Sequence, residues 1–343
     1  GKAMSDISIN DMYDELVDNP RIKKYRVDAR KLFQKVAAIQ GESGYPYTMN
    51  EDIVNRANAI DGRISMSNLC SEILQVSDPA TFGPDGHYVD EGRDISCNLG
   101  SMNVAKVMES GSLGTTVEKA IRALTAVSDL SNIEIVPSVR RGNELSHAVG
   151  LGQMNLAGFF IKMGWKYGGQ ESLDFTNAYF MAVAYHAHKA SNDIAKERSE
   201  TFYNFDKSKY ADPSYLATKY SDPEIMDIPQ GIREVFSDAG IVLPSVGDWD
   251  KLARSIAKYG LYNQNLQAIP PTGSISYIAD STASIHPVTD PVETRKEGKT
   301  GRVYYPQPYV TNENFADVED AYTVGPEKII DIYAKATTHV DQG

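Results

Sequence analysis

The chain is 343 residues long, 41% hydrophobic and 23% charged, the balance of a globular protein able to bury a substantial core. Its net charge of −12 argues against a broad nucleic-acid footprint, and no apolar run approaches the roughly 18 residues a membrane span needs. Two cysteines argue against a disulfide-built secreted fold and fit a reducing, cytoplasmic setting. The opening Gly1-Lys2-Ala3-Met4 is not a natural start and reads as a fragment boundary.

Amphipathic spacing predicts a short helix over Asp11 to Val17, stopped by Asn19-Pro20, and a second over Ala29 to Gln40, closed by Gly41. The Gly and Pro of Ser43-Gly44-Tyr45-Pro46-Tyr47 forbid a continued helix. Thr115-Thr116-Val117-Glu118 has capping-box spacing ahead of an apolar stripe at Val117, Ile121, Leu124 and Val127, which predicts a helix. Ile133 to Val136 reads as a short strand. Gly150-Leu151-Gly152-Gln153-Met154-Asn155 lacks the glycine spacing of a dinucleotide fingerprint, and nothing marks it as a strand-to-helix turn. Phe175 to Ala187 is apolar nearly all round and predicts a helix inside a large domain. Residues 203–245, rich in Tyr, Asp, Ser and Pro, are expected to cross the surface with short helices, and Asp248 to Tyr259 predicts a helix ending at Gly260. Gly273 to Ile278 and Arg302 to Tyr305 are further β-prone runs. Such runs alternating with helices favour an α/β architecture, and no linker divides residues 1–343 into two domains.

Ser67-Asn68-Leu69-Cys70-Ser71-Glu72-Ile73 sets a thiol between an amide and a carboxylate, each two residues away. In an extended or loop conformation such side chains point the same way and line one pocket. A thiol gives up a hydrogen atom, a carboxylate accepts a proton and an amide orients a hydroxyl. These are tools for radical chemistry on a diol. Read alone, a cytosolic cysteine is more often a buried small hydrophobe, and a glutamate a solvated charge. Cys97, in Asp94-Ile95-Ser96-Cys97-Asn98-Leu99-Gly100-Ser101, is too distant from Cys70 for redox C-x-x-C or zinc spacing. Pairing of the two, pairing with thiols elsewhere and an inert role all stay open.

In Pro270-Pro271-Thr272-Gly273-Ser274-Ile275-Ser276, glycine lets the backbone approach a ligand, and hydroxyls and amides suit phosphate oxygens. No P-loop pattern is present, and a polar turn into a strand is the commoner meaning of such a stretch. His186 and His188, two apart on a helix, face different ways and make no metal pair, so they read as structural or solvent-facing. Tyr304-Tyr305 beside Pro306 invites a radical-relay reading, but packing in a β-prone run is the simpler account.

Together these segments resemble the large subunit of class I ribonucleotide reductases, the class Ib form most closely. Asn68 to Gln75 is similar to that family's radical-cysteine motif, Asp94 to Ser101 to the segment holding a reducing cysteine, and Pro271 to Ile278 to its substrate-phosphate loop. Glu42 to Tyr47, Gly150 to Asn155 and Arg295 to Lys299 support the likeness, which runs from about Ile7 to Gly343. It implies a ten-stranded α/β barrel, of which this chain would hold only the later part, and reduction of ribonucleoside diphosphates to deoxyribonucleotides. Cys70 would become a thiyl radical and take the ribose 3′ hydrogen atom. Glu72 would accept the 3′-hydroxyl proton, and Asn68 would hold the neighbouring hydroxyl. Loss of the 2′-hydroxyl as water needs a proton and two electrons, and Cys97 would supply part of both. Asn68, Leu69, Cys70, Ser71 and Glu72, with Pro271, Thr272, Gly273, Ser274 and Ile275, would contact substrate.

The resemblance also implies a homodimer of large subunits and a small β subunit whose metal centre makes the radical. A glutaredoxin- or thioredoxin-like dithiol would be the reductant, and this chain would itself hold no metal or cofactor. The first half-barrel, the partner of Cys97, the relay tyrosines and the re-reducing cysteine pair would lie outside these residues. The isolated chain is therefore expected to be inactive. Competing readings are a cobalamin-dependent or anaerobic thiyl-radical reductase on the same barrel, and a non-catalytic nucleotide-binding fragment.

Overall fold

The computed structural model describes residues 9–131, 133–298 and 301–342; Gly1–Met4 and Lys299 lie outside them. The chain opens with α1 (Ile9–Asp18), α2 (Ala29–Ser43) and α3 (Glu51–Ala57). Helix α2 runs past the expected stop at Gly41, since a glycine inside a helix weakens it without ending it. It ends where Gly44 takes a φ of 75° and returns its amide to Gln40 O. A short antiparallel pair, β1 (Thr81–Phe82) and β2 (Tyr88–Asp90), follows.

The centre is built from β3 (Leu99–Asn103), α4 (Val104–Ser110), α5 (Leu113–Leu130), α6 (Pro137–Ser146), β4 (Gly150–Met154), α7 (Leu156–Met163) and α8 (Gln170–Arg198). Strands β3 and β4 pair in parallel, from Leu99 opposite Gly150 to Asn103 opposite Met154. Residues 265–268 run parallel along the other edge of β4, where Leu151 bridges Gln267. The 150–155 segment is therefore a strand-to-helix turn after all, with Asn155 at φ 69° leading into α7. Its signal was hidden because β4 is buried on both faces and shows no alternation. The glycines serve packing: a Cβ on Gly150 would press on Leu99 and Ala268, and one on Gly152 would run into Pro270.

Helix α5 begins at Leu113 behind Ser112, so Thr115 and Glu118 lie inside it and the expected capping box does not form. Val117, Ile121 and Leu124 are buried as the stripe predicts, while Val127 is 52% exposed. Gly114 sits so close to His186 on α8 that a Cβ would meet its ring at 2.7 Å. Helix α8 is longer than its apolar run and buries Phe175, Tyr179, Phe180 and Val183. His188 is buried too, with Nδ1 2.8 Å from Ala184 O, a structural role. Ile133 to Val136 is not a strand. It turns into α6 with Pro137 in the first turn, and Ile135 is almost fully exposed.

Residues 203–245 carry α9 (Pro213–Lys219), α10 (Pro223–Met226) and α11 (Gln230–Asp238), the short helices expected. They do more than cross the surface, because Tyr210, Tyr220, Ile232 and Phe236 are buried. Helix α12 (Val246–Tyr259) starts ahead of the expected Asp248, through a capping box between Ser245 and Asp248, and ends at Gly260. Its Trp249 stacks on Tyr220 with ring centroids 3.5 Å apart, in a second cluster that also takes in Ile64 and Val76.

Gly273 to Ile278, a β-prone run, is instead α13 (Gly273–Ile278). Pro270 and Pro271 have no amide with which to extend the ladder beside β4, and the chain coils so that Ser276 N reaches Thr272 O. The Arg302–Tyr305 run is a strand, within the antiparallel hairpin of β5 (Val292–Glu297) and β6 (Gly301–Pro306). Helices α14 (Ala321–Val324) and α15 (Pro326–Thr337) follow. The buried Asp341 carboxylate then accepts the amides of Leu266 and Gln267, both at 2.8 Å, pinning the segment beside β4. The architecture is a mixture of helix and sheet, with the described strands grouped in pairs. No described helix is long and apolar enough to cross a membrane.

Candidate active site

Residues 67–73 form a turn. Ser71 N donates to Asn68 O at 3.1 Å, and Ser71 takes a φ of 63°, which leaves Leu69 and Cys70 at an exposed tip. The alternation expected of an extended loop breaks there, because Asn68 Oδ1 accepts the Ile73 amide at 3.1 Å and folds the segment back. Asn68 and Glu72 nevertheless converge on one atom. Asn68 Nδ2 donates to Cys97 Sγ at 3.5 Å, and Cys97 Sγ lies 4.0 Å from Glu72 Oε1. The Glu72 charge acts on Cys70, and Cys70 acts in turn on Cys97. Both thiols are free and exposed.

Even at the exposed tip, partial desolvation by neighbouring protein atoms first, and the Glu72 carboxylate second, push the Cys70 thiol above its ordinary value. The same two causes raise Cys97, against a downward pull from the Asn68 amide. A nucleophilic cysteine needs the reverse, a cation or helix N-terminus that stabilises thiolate. Thiols that keep their hydrogen suit hydrogen-atom and proton donation. Glu72 itself is 6% exposed, and its Oε2 has no hydrogen-bond partner among the described residues. A buried acceptor in that state destabilises the fold by about 1–3 kcal/mol until something donates to it. A ligand hydroxyl is a suitable donor.

The 271–275 loop stands elsewhere. Cys97 precedes the amino end of β3, whereas the loop leaves the carboxyl end of the parallel segment 265–268. Among the described residues no hydrogen bond joins the loop to residues 68–72 or Cys97. Thr272 is buried at φ 52°, and its Oγ1 accepts Ser284 N at 2.7 Å. Gly273, Ser274 and Ile275 are exposed, and the first amides of α13 have no carbonyl within the helix to bond. Such amides suit an anion. Nothing lies within 4 Å of where a Cβ on Gly273 would sit. Among the described residues no group of three His, Cys, Asp or Glu gathers to hold a metal.

The ribonucleotide reductase barrel-domain family matches residues 2–343. The chain belongs to that family. It is similar to the ribonucleoside-diphosphate reductase subunit alpha of Mycoplasma genitalium, 48% identical over 346 residues, covering 100% of this chain and 48% of that protein. The subunit alpha of Bacillus subtilis is 39% identical over 345 residues, covering 100% of this chain and 49% of that protein. The chain spans about half the length of these curated relatives.

In this ribonucleotide reductase barrel domain some residues with no chemical signal of their own hold the site together. The Gln75 side chain accepts Ser96 N at 3.1 Å and donates to Ser96 O at 3.0 Å, so it fastens the Cys97 segment to the 67–75 turn. Asn98 Nδ2 holds the other side through Asn143 Oδ1 and Ala148 O, at 3.0 and 3.1 Å. Gln75 stands inside the quoted motif, yet an amide does not announce a partner on a distant segment. Tyr47, in the Glu42–Tyr47 segment, packs at a tilt against Tyr45 with ring centroids 4.7 Å apart. Its phenol is raised first by a hydrogen bond with Tyr45 and, more weakly, by the charges of Cys70 and Glu72.

Proposed function

We propose that the chain is the part of a class Ib ribonucleoside-diphosphate reductase α subunit that holds the radical thiol and the substrate, the later portion of a ten-stranded barrel folded as one domain over residues 1–343. The observation that carries this reading is the meeting of Asn68, Glu72 and Cys97 beside Cys70, with a buried carboxylate oxygen left open for a hydroxyl. Cys70, as a thiyl radical, takes the hydrogen atom from the ribose 3′ carbon. Glu72 takes the 3′-hydroxyl proton, a general-base role suited to a carboxylate, and Asn68 holds the neighbouring hydroxyl. Replacing the 2′-hydroxyl by hydrogen, with the hydroxyl leaving as water, consumes two protons and two electrons. Cys97 and a second thiol from the rest of the enzyme supply them and end as a disulfide.

Leu69 and Ser71 shape the tip around the sugar, and Pro271, Thr272, Gly273, Ser274 and Ile275 receive the diphosphate. A nucleoside diphosphate is an extended ligand, so one molecule can present its ribose to the turn and its phosphates to the loop once the barrel is closed by the remainder of the enzyme. The radical comes from the metal centre of a small β subunit. A glutaredoxin- or thioredoxin-like dithiol resets the disulfide, and two α subunits pair in a reducing cytoplasm.

The test uses the complete α and β subunits. Cys70→Ser should abolish deoxynucleotide formation with nucleotide binding nearly unchanged, because a serine O–H bond is too strong to be broken and remade on this route. Product at a tenth of the normal rate would overturn the assignment. Cys97→Ser should still release tritium from 3′-labelled substrate while stopping normal turnover. No release at all would remove Cys97 from the reductant role.

A further inference from the structure

The loop after Pro271 takes a backbone shape that its own residues do not favour. Thr272, Asp280 and Ser284 all lie at positive φ, 52°, 45° and 48°. For a β-branched threonine this is a genuine outlier, held only if the surroundings over-determine it. What holds it is a set of buried polar side chains beneath an exposed helix start. Ser276, Ser281, Thr282 and Ser284 are buried, while Gly273, Ser274 and Ile275 above them are exposed. Thr272 Oγ1 accepts Ser284 N, and Ser281 N returns to Ser276 O at 2.9 Å.

The whole arrangement meets the sheet through one residue. Asn155 is 1% exposed and stands where β4 turns into α7. Its amide nitrogen donates to Thr282 O at 2.8 Å. Its side-chain Oδ1 accepts Thr282 N at 3.0 Å and lies 3.5 Å from Thr282 Oγ1. Its Nδ2 donates to Asn103 Oδ1 at 2.9 Å, and Asn103 caps α4 by accepting Lys106 N. Thr282 Oγ1 accepts Gly158 N at 3.1 Å, which ties the same loop to the first turn of α7. One side chain therefore joins the carboxyl ends of β3 and β4 to the returning arm of the loop. A side chain at 158 would collide with Asn155 Oδ1, so glycine there admits the clasp.

We infer that Asn155 is a positioning residue for the diphosphate: through Thr282 and Ser284 it sets the conformation of Thr272, and with it the shape of the exposed loop that receives the phosphates. This rests on the phosphate reading of the 271–275 loop. Asn155 touches no substrate itself and is distinct from the radical cluster at the other end of β3. The reaction step is left intact when the clasp is lost, and the affinity for the anionic end of the substrate is not.

The experiment compares four forms of the complete enzyme: unaltered, Asn155→Gly, Gly273→Val, and the double variant. Glycine keeps the positive φ at 155 without strain, so the substitution removes the clasp alone. Asn155→Gly is expected to raise KM about tenfold for every nucleoside diphosphate, the equivalent of about 1.4 kcal/mol, with kcat nearly unchanged. The double variant should be no worse than Gly273→Val, because both act through one loop. A KM unchanged by Asn155→Gly while Gly273→Val raises it would overturn the inference and leave the phosphate loop standing. A KM unchanged by Gly273→Val would overturn the phosphate reading itself, and the inference with it. A fall in kcat with KM held would likewise refute the positioning role. Should Asn155→Gly fail to fold, Thr282→Val removes only the hydroxyl bonded to Gly158 N and Asn155, and a smaller rise in KM of the same kind is required.

Discussion

The 67–73 turn stands on side-chain bonds to neighbouring loops and leaves Leu69 79% exposed with both thiols open. The base of the 271–284 loop is sunk in the core, with Ser276, Thr282 and Ser284 each at most 3% exposed. On the proposed function the difference matches the role given to each. A group that passes hydrogen atoms needs access and a neighbour that can take a proton. A cradle for charged oxygens needs amides fixed before the ligand arrives, since ordering them at binding would weaken affinity. Substitutions at the turn should therefore act on the chemical step and hardly on stability, and substitutions at the loop on binding.

The sharpest way to break this contrast is Glu72→Gln. The amide keeps the shape but cannot take a proton, so kcat should fall by about 10²–10⁴ with KM nearly unchanged. A variant with full kcat would remove the general base. Gly273→Val comes next. The space around Gly273 is open, so the fold should tolerate valine while the diphosphate loses its close backbone contact. Binding of all four nucleoside diphosphates should weaken alike, by roughly tenfold to a hundredfold, the scale of one charge-assisted hydrogen bond at about 1.5–3 kcal/mol. A base-selective loss in calorimetric titration would move this loop to the nucleobase.

The smallest effect is on stability, away from both regions. Burial, with help from Lys219 and Lys335, pulls His339 down to about 3, and burial pulls His188 down to about 4. In the unfolded chain each protonates near its ordinary 6.5. Their contribution is complete above that value and is lost as pH falls towards the folded values, by about 2 kcal/mol per histidine between roughly pH 6.5 and 5. Asp341 opposes them. Burial lifts it to about 6, so acidification from there towards 3.8 favours the folded state. Two histidines outweigh one aspartate, and thermal unfolding should shift to lower temperature in acid. His339→Gln should flatten that slope, and an unaltered slope would mean that His339 accepts its proton within the fold.

Much of this was legible in the residues, though unevenly. Helix α8 announced itself because an all-round apolar run of that length has few other uses. The motif at 68–75 suggested its chemistry only through the family resemblance, since its residue types alone more often mean packing and solvated charge. What failed to show was whatever depended on partners distant in sequence. Strand β4 carried no alternation because neighbours bury both its faces. The run at 273–278 looked like a strand because Ile and Tyr favour one. The deciding fact was that Pro270 and Pro271 end the ladder beside β4. Gln75 and Asn155 are ordinary amides until Ser96 and Thr282 are seen against them. The nearness of Cys97 to Asn68 likewise came only with the folded chain.

Gly158 has an implication for how sequences of this kind can drift. A glycine inside α7 weakens the helix by roughly 1 kcal/mol relative to alanine, so it is a standing target for replacement. Yet any replacement meets the Asn155 side chain, while the nearest atom outside that residue, Thr282 Cγ2, lies at an ordinary 3.4 Å. The order in which the two positions change therefore matters. A lineage that first gives up the amide at 155 frees 158 to take alanine and gain helix stability. A lineage that fills 158 first passes through a form in which the amide is expelled from its seat.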